Sequence, residues 1–299
     1  MPVAGASIAI RNILFPTDFS KESEQAIACA QSIAHGFQAR VHVANVVDLF
    51  PHTLSDTPEA REKQAELRRQ SEARLKDFML AHRLDPIRFS PAVLAGEIFL
   101  AVEEYARRQE IDLIILGSRG DVGFERLFQG SVAEEIFRTA HCPVLVAGPE
   151  VREPGTDGLF NRILYATDRS AVSRAALPHL EFLLASNPKS TAALAHFMAA
   201  EDAAMFRRHQ ERRQLEKELR SLLAPSLQHQ ITDVIVEPAS PGPAIAEAAA
   251  QLPADLVVLG VRYGGAFVRA ATHGCGSLAS QVIQQVTCPV LTVRSSQEQ

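Results

Sequence analysis

The sequence predicts an α/β protein built from two tandem doubly wound domains, each a five-stranded parallel sheet with helices on both faces. Three observations carry that expectation. Short apolar runs alternate with amphipathic stretches in each half. Four blocks of the first half return in the same order in the second, the mark of a duplicated domain. Between the copies lies Val151-Arg152-Glu153-Pro154-Gly155-Thr156-Asp157-Gly158, whose proline, glycine and charge read as a linker. The domains are placed at 1–150 and 159–299.

The repeated blocks fix the elements in order. Asn12-Ile13-Leu14-Phe15-Pro16-Thr17-Asp18-Phe19-Ser20 recurs as Arg162-Ile163-Leu164-Tyr165-Ala166-Thr167-Asp168-Arg169-Ser170, and opens each copy. The block Ile111 to Gly117 recurs as Ala254 to Gly260, Gly130-Ser131 as Gly276-Ser277, and Cys142-Pro143-Val144-Leu145-Val146 as Cys288-Pro289-Val290-Leu291-Thr292. In the first half this predicts strands near 11–17, 39–47, 87–95, 111–117 and 143–148. Helices are predicted near 21–36, 59–83, 97–109 and 131–140. The run Ile111 to Leu116 is apolar and β-branched, as a strand covered on both faces should be. The charged stretches Glu59 to Asp77 and Glu201 to Arg220 read as exposed helices with mixed acidic and basic residues. Prolines 143 and 289 stand where a strand begins, a position that tolerates proline.

Chemistry concentrates at one place. Gly117-Ser118-Arg119-Gly120, followed by Gly130-Ser131, lies between a buried strand and the helix beginning at Val132. Glycine turns let backbone N–H groups converge on an anion, and a helix start favours negative charge. The bland reading is that Ser131-Val132-Ala133-Glu134 is a capping box satisfying its own helix. No Gly-Lys-Ser or Gly-Lys-Thr follows, which excludes a P-loop. The glycines also follow a late strand rather than the first, unlike a dinucleotide fingerprint.

Composition bounds the rest. The 299 residues carry 30 basic and 35 acidic side chains, a formal charge of −5, which argues against a nucleic-acid or membrane-surface role. Four cysteines, at 29, 142, 275 and 288, are too scattered for a disulfide framework or a metal cluster, and read as small buried hydrophobes. Residues 1–10 lack a signal-peptide pattern and no run approaches a membrane span, so a cytoplasmic protein is expected.

These residues together resemble the universal stress protein family in tandem form. The spacing Gly-x2-Gly-x9-Gly-Ser of its nucleotide-binding members is met in full by Gly117, Gly120, Gly130 and Ser131. The resemblance implies a Rossmann-like fold of the adenine nucleotide alpha hydrolase type, strand order 3-2-1-4-5, with ATP and a magnesium ion at the carboxyl ends of the strands. It implies that Thr17 and Asp18 lie against the nucleoside and Val46 packs on the adenine. Gly117, Ser118, Arg119, Gly120, Gly130, Ser131 and Val132 would hold the phosphates. Two bland alternatives stand beside this: Asp18 as a helix cap and Val46 as core. The resemblance also implies that the closing strands meet across an intrachain pseudo-dimer, with a homodimer and an unidentified protein partner as further assemblies.

The second half departs from the pattern. Gly260 and Gly276 are three residues further apart than Gly117 and Gly130, Tyr263 stands for Gly120, and Phe197 for Val46. Arg262, Arg269 and His273 fall near that altered loop and would suit a different anion. The leading expectation is a non-catalytic or slowly hydrolysing ATP-binding module, at most a weak ATPase, with ATP in the first domain. A nucleotide-free structural pseudo-dimer and an ATP hydrolase using Asp18 are the alternatives. No catalytic residue and no protein metal ligand is assigned.

Overall fold

The computed structural model describes residues 8–47, 57–117, 136, 140–147, 160–198, 209–262 and 277–295. In the first half the order is β1 (Asn12–Pro16), α1 (Lys21–Phe37), β2 (Arg40–Val47), α2 (Pro58–Ala81), β3 (Phe89–Ala95), α3 (Ile98–Arg108), β4 (Leu113–Gly117) and β5 (Val144–Ala147). Of the helix expected at 131–140, only Ile136 is described as helical. The second half runs β6 (Arg162–Ala166), α4 (Ala171–Arg174), α5 (Leu177–Ser186), β7 (Thr191–Met198), α6 (His209–Arg220), a 3-10 turn (Pro225–Gln230), β8 (Ile231–Pro238), α7 (Pro241–Gln251), β9 (Leu256–Val261), α8 (Leu278–Gln285) and β10 (Val290–Arg294).

Local chemistry starts these helices. Ser20 accepts from the N–H of Ser23 to cap α1, and Thr57 accepts from Ala60 with Pro58 at the first helical position of α2. Glu97 caps α3 by accepting from Phe99 and Leu100, directly after Gly96, whose φ of 123° only glycine adopts freely. The single first crossover helix of half one is split in half two, where Pro178 sits in the first turn of α5.

The two five-stranded sheets join into one through their closing strands, the meeting that the family resemblance implies. Ten strands run β3-β2-β1-β4-β5-β10-β9-β6-β7-β8, so each half keeps the order 3-2-1-4-5 and the halves join at their closing strands. Pairing is parallel within each half and antiparallel only between β5 and β10. There Val144 faces Thr292, Leu145 faces Leu291 and Val146 faces Val290, and the Thr292 hydroxyl donates to the Val144 carbonyl at 3.1 Å. The reason is edge chemistry: a short apolar closing strand left open would expose a row of unpaired N–H and C=O groups. The outer strands β3 and β8 are mostly exposed or half-buried, and β3 tolerates Pro91 because it pairs on one side only among the described residues.

Alternation sorts the core into two layers. Ile13, Phe15 and Ile115 point to one face, under α1, α2, α5 and α6, whereas Leu14, Ile114 and Leu116 point to the other, under α3, α7 and α8. Both layers contain residues of both halves, so the core is continuous across the junction. Phe37 and Phe182 stack across it with ring centroids 5.2 Å apart. Cys29, Cys142 and Cys288 are buried in these layers, as the hydrophobe reading expects, and burial pushes each thiol up to about 12. Cys275 lies outside the described residues.

A repeated aspartate pins each sheet. Asp112, just before β4, accepts from the N–H groups of Arg11 and Asn12 at 2.8 Å each. Asp255, just before β9, accepts from Asn161 and Arg162 at 2.9 Å. Both stand at the same place in the repeated blocks Ile111 to Gly117 and Ala254 to Gly260.

Candidate functional site

The chain leaves β1 through α1 on one face of the sheet and leaves β4 toward Ile136 on the other. Neighbouring strands whose connections diverge in this way open a crevice at their carboxyl ends. Thr17 and Asp18 follow β1, Val46 is near the end of β2, and Gly117 ends β4, so these four predicted residues come to one rim of the sheet. Ser118, Arg119, Gly120, Gly130, Ser131 and Val132 lie outside the described residues.

The turn after β1 is held atom by atom. Thr17 is buried, 5% exposed, and its N–H extends the ladder by donating to Ala44 at 2.8 Å. Its hydroxyl bonds the Ser23 hydroxyl at 2.8 Å and accepts from the N–H of Phe19 at 2.9 Å. Since the Ser23 hydroxyl donates to the Ser20 carbonyl at 2.9 Å, Thr17 supplies the proton to Ser23. The Thr17 hydroxyl is thus committed inside the turn. Asp18 is exposed, and its Oδ1 accepts from the Ser20 N–H at 2.9 Å and hydroxyl at 2.6 Å. The helix cap is therefore Ser20, with Asp18 orienting it, and the carboxylate still faces solvent at the rim. Phe19 adopts a left-handed φ of 62°, costing about 1–2 kcal/mol for a residue with a Cβ. Its ring meets Phe78 edge-on at 5.9 Å and lies 4.2 Å beneath the Arg74 guanidinium.

Val46 is half-buried and packs on the second core layer, leaving part of its side chain open at the rim. Its neighbour Asn45 donates from Nδ2 to the Thr17 carbonyl at 2.7 Å and accepts at Oδ1 from the Ser71 hydroxyl of α2 at 2.7 Å. Sequence reasoning missed Asn45, Ser71 and Phe19. Their partners lie up to 59 residues away, and only the recurrence of a polar side chain at the end of the second strand, His196 in half two, marks the position.

Half two rebuilds the same turn. The Thr167 hydroxyl bonds Ser173 at 2.8 Å and accepts from Arg169 N–H at 2.9 Å, Asp168 accepts from Ser170 at 2.9 Å, and Arg169 has φ 66°. Burial pushes the Asp168 carboxyl up, but hydrogen bonds from Ser170 and Ser173 outweigh it and hold it below the usual carboxylate range. His196 donates from Nδ1 to the Thr167 carbonyl at 2.7 Å, where Asn45 serves half one. Phe197 is buried, 8% exposed, and fills the position of half-open Val46. Gly260 has a packing role: an added Cβ would stand 2.2 Å from the Val172 carbonyl oxygen. Ser277 caps α8 by accepting from Ser280 N–H at 3.2 Å, with the two hydroxyls 2.9 Å apart. Arg262 is exposed, and Tyr263, Arg269, His273 and Gly276 lie outside the described residues. Among the described residues no cluster of His, Cys, Asp and Glu suits a metal ion, and no helix is long and apolar enough to cross a membrane.

Comparison with known proteins gives the same two-part picture. The family model described as the universal stress protein family matches residues 9–148 and again 159–294. Universal stress protein MJ0531 of Methanocaldococcus jannaschii is 33% identical over 144 residues, covering 48% of this chain and 85% of that protein. Universal stress protein MJ0577 of the same organism is 24% identical over 155 residues, covering 47% and 96%. Among solved structures, a universal stress protein from Archaeoglobus fulgidus has a TM-score of 0.67 at 20% identity, covering 96% of this chain and 97% of its own, a likeness of fold. With both halves matched and the turn repeated in each, the chain belongs to the universal stress protein family.

Proposed function

We propose that the first half, residues 1–150, binds ATP with magnesium and that the protein works as a nucleotide-dependent stress-response module rather than a dedicated enzyme. The observation that carries this is the convergence of Thr17, Asp18, Val46 and Gly117 on the rim where the strands β1 and β4 part, directly ahead of the Gly-x2-Gly-x9-Gly-Ser spacing. Asp18 presents a carboxylate to the ribose side, Val46 an apolar wall to the base, and residues 117–132 backbone donors to the phosphates. Magnesium would be carried by the triphosphate, whose oxygens suit a hard cation that keeps most of its waters. The second half, residues 159–299, binds ATP weakly or not at all, because Phe197 fills the base position, Tyr263 stands for Gly120 and the glycine spacing is three residues longer. A cytoplasmic location and an unidentified protein partner complete the reading.

Calorimetry with magnesium-ATP tests it. One nucleotide per chain is expected, lost in Gly130→Val and weakened in Asp18→Ala. Two equivalent sites, or no binding to folded protein, would overturn it.

A further inference from the structure

We propose that Asn45, Ser71 and Phe19 are positioning residues for the Asp18 turn, and that through them helix α2 registers whether the rim is occupied. The inference rests on the nucleotide reading and adds how occupancy reaches the surface.

Two independent connections join the turn to α2. One is polar: Ser71 on α2 donates to Asn45 Oδ1, and Asn45 Nδ2 donates to the Thr17 carbonyl, each at 2.7 Å. The amide is therefore fixed between a helix side chain and the backbone just before Asp18. The other runs through the ring of Phe19, which touches Phe78 and sits under Arg74, both on α2. The left-handed Phe19 is the immediate neighbour of Asp18, so these contacts reach the aspartate through one peptide bond. A displacement of the turn by a ligand has to be absorbed by both links, and packed interfaces shift as units rather than stretching.

Helix α2 is suited to report such a shift. Its buried residues are Ala60, Ser71, Leu75 and Phe78, so much of its length is a charged, solvent-facing surface. Half two keeps the clamp on its turn through His196, yet among the described residues Arg169 reaches α6 by an exposed ion pair with Glu218 at 3.8 Å. Such a pair contributes little. The coupling is thus a property of half one.

Amide hydrogen exchange on the full chain, with and without magnesium-ATP, tests this. ATP is expected to slow exchange in α2 by about fivefold or more, with less change in α6. Phe19→Gly keeps the left-handed turn, which glycine adopts freely; it should still bind ATP, with the α2 response cut to the part that the Ser71–Asn45 link carries. Asn45→Ala should weaken ATP by about fivefold or more, and Asn45→His should restore it, because His196 makes the same bond in half two. Unchanged α2 exchange despite ATP binding, or a full α2 response in Phe19→Gly, would overturn the coupling. Absence of any ATP binding by calorimetry would instead overturn the nucleotide reading beneath it.

Discussion

The turns at Thr17–Ser20 and Thr167–Ser170 are near copies, whereas the surfaces around them are not. Both place a threonine hydroxyl on a serine of the following helix, an aspartate on the capping serine, and a left-handed residue between them. Around the first, Val46 stays half-open and Phe19 packs onto α2; around the second, Phe197 is buried and Tyr165 donates its hydroxyl to the Ser173 carbonyl at 2.9 Å. The turn alone is therefore a device for joining a strand to a helix. Recognition depends on what the neighbouring strands leave uncovered.

Substitutions can break that comparison. The largest effect is expected at Gly260: Gly260→Val drives a side chain into the Val172 backbone and should cost about 3 kcal/mol. Chemical denaturation would measure it, with ATP binding to half one retained in the folded fraction. Next come the pinning aspartates. Asp112→Ala and Asp255→Ala each strip the acceptor from two backbone N–H groups, at a cost of about 1–3 kcal/mol. The double variant should show additive loss within about 0.5 kcal/mol, since the two sites share no partner.

A pH-dependent effect, smaller within any one pH unit, arises where the halves meet. A cavity of about 40 Å³ is lined by Ile33, Phe37 and Leu145 from half one and by Phe160, His179 and Phe182 from half two. The buried Nδ1 of His179 has no hydrogen-bond partner. Burial lowers the His179 pKa to about 4, an effect the Ala175 carbonyl opposes only in part. Between pH 4 and the ordinary value of 6.5 the unfolded chain binds a proton there and the folded chain does not. Stability therefore falls as pH drops through that window, by at most about 1.4 kcal/mol per pH unit from this group. His179→Phe should flatten the slope in denaturation curves taken from pH 7 to 4. The smallest change is expected from Phe197→Val: reopening the base position should add no second nucleotide per chain in a calorimetric titration, because Tyr263 and the longer loop remain. A second equivalent site would mean that Phe197 alone closed half two.

Much of the fold was legible because it rests on local patterns. Ile111 to Leu116 reads as a covered strand and becomes β4, and the Val144-Leu145-Val146 run reads as a closing strand and pairs with its counterpart. That Thr17, Asp18, Val46 and Gly117 stand at strand ends on one rim was legible through the repeat and the family resemblance. The left-handed Phe19 was not, since a residue with a Cβ gives no sign of it; the bonds to Thr17 and Asp18 hold the turn, as they do at Arg169, and Phe78 and Arg74 then pack on the ring. Gly260 was read through its resemblance to a ligand turn, while its steric reason, the Val172 carbonyl, lies 88 positions upstream and appears only in three dimensions.

The antiparallel meeting of β5 and β10 has a consequence for how the molecule is addressed. Because every strand of half two runs against those of half one, their carboxyl ends emerge on opposite edges of the sheet. A ligand seated over the rim at Asp18 therefore lies on the edge away from Asp168. The protein thus has a front and a back, with half-buried Val46 at one edge and buried Phe197 at the other.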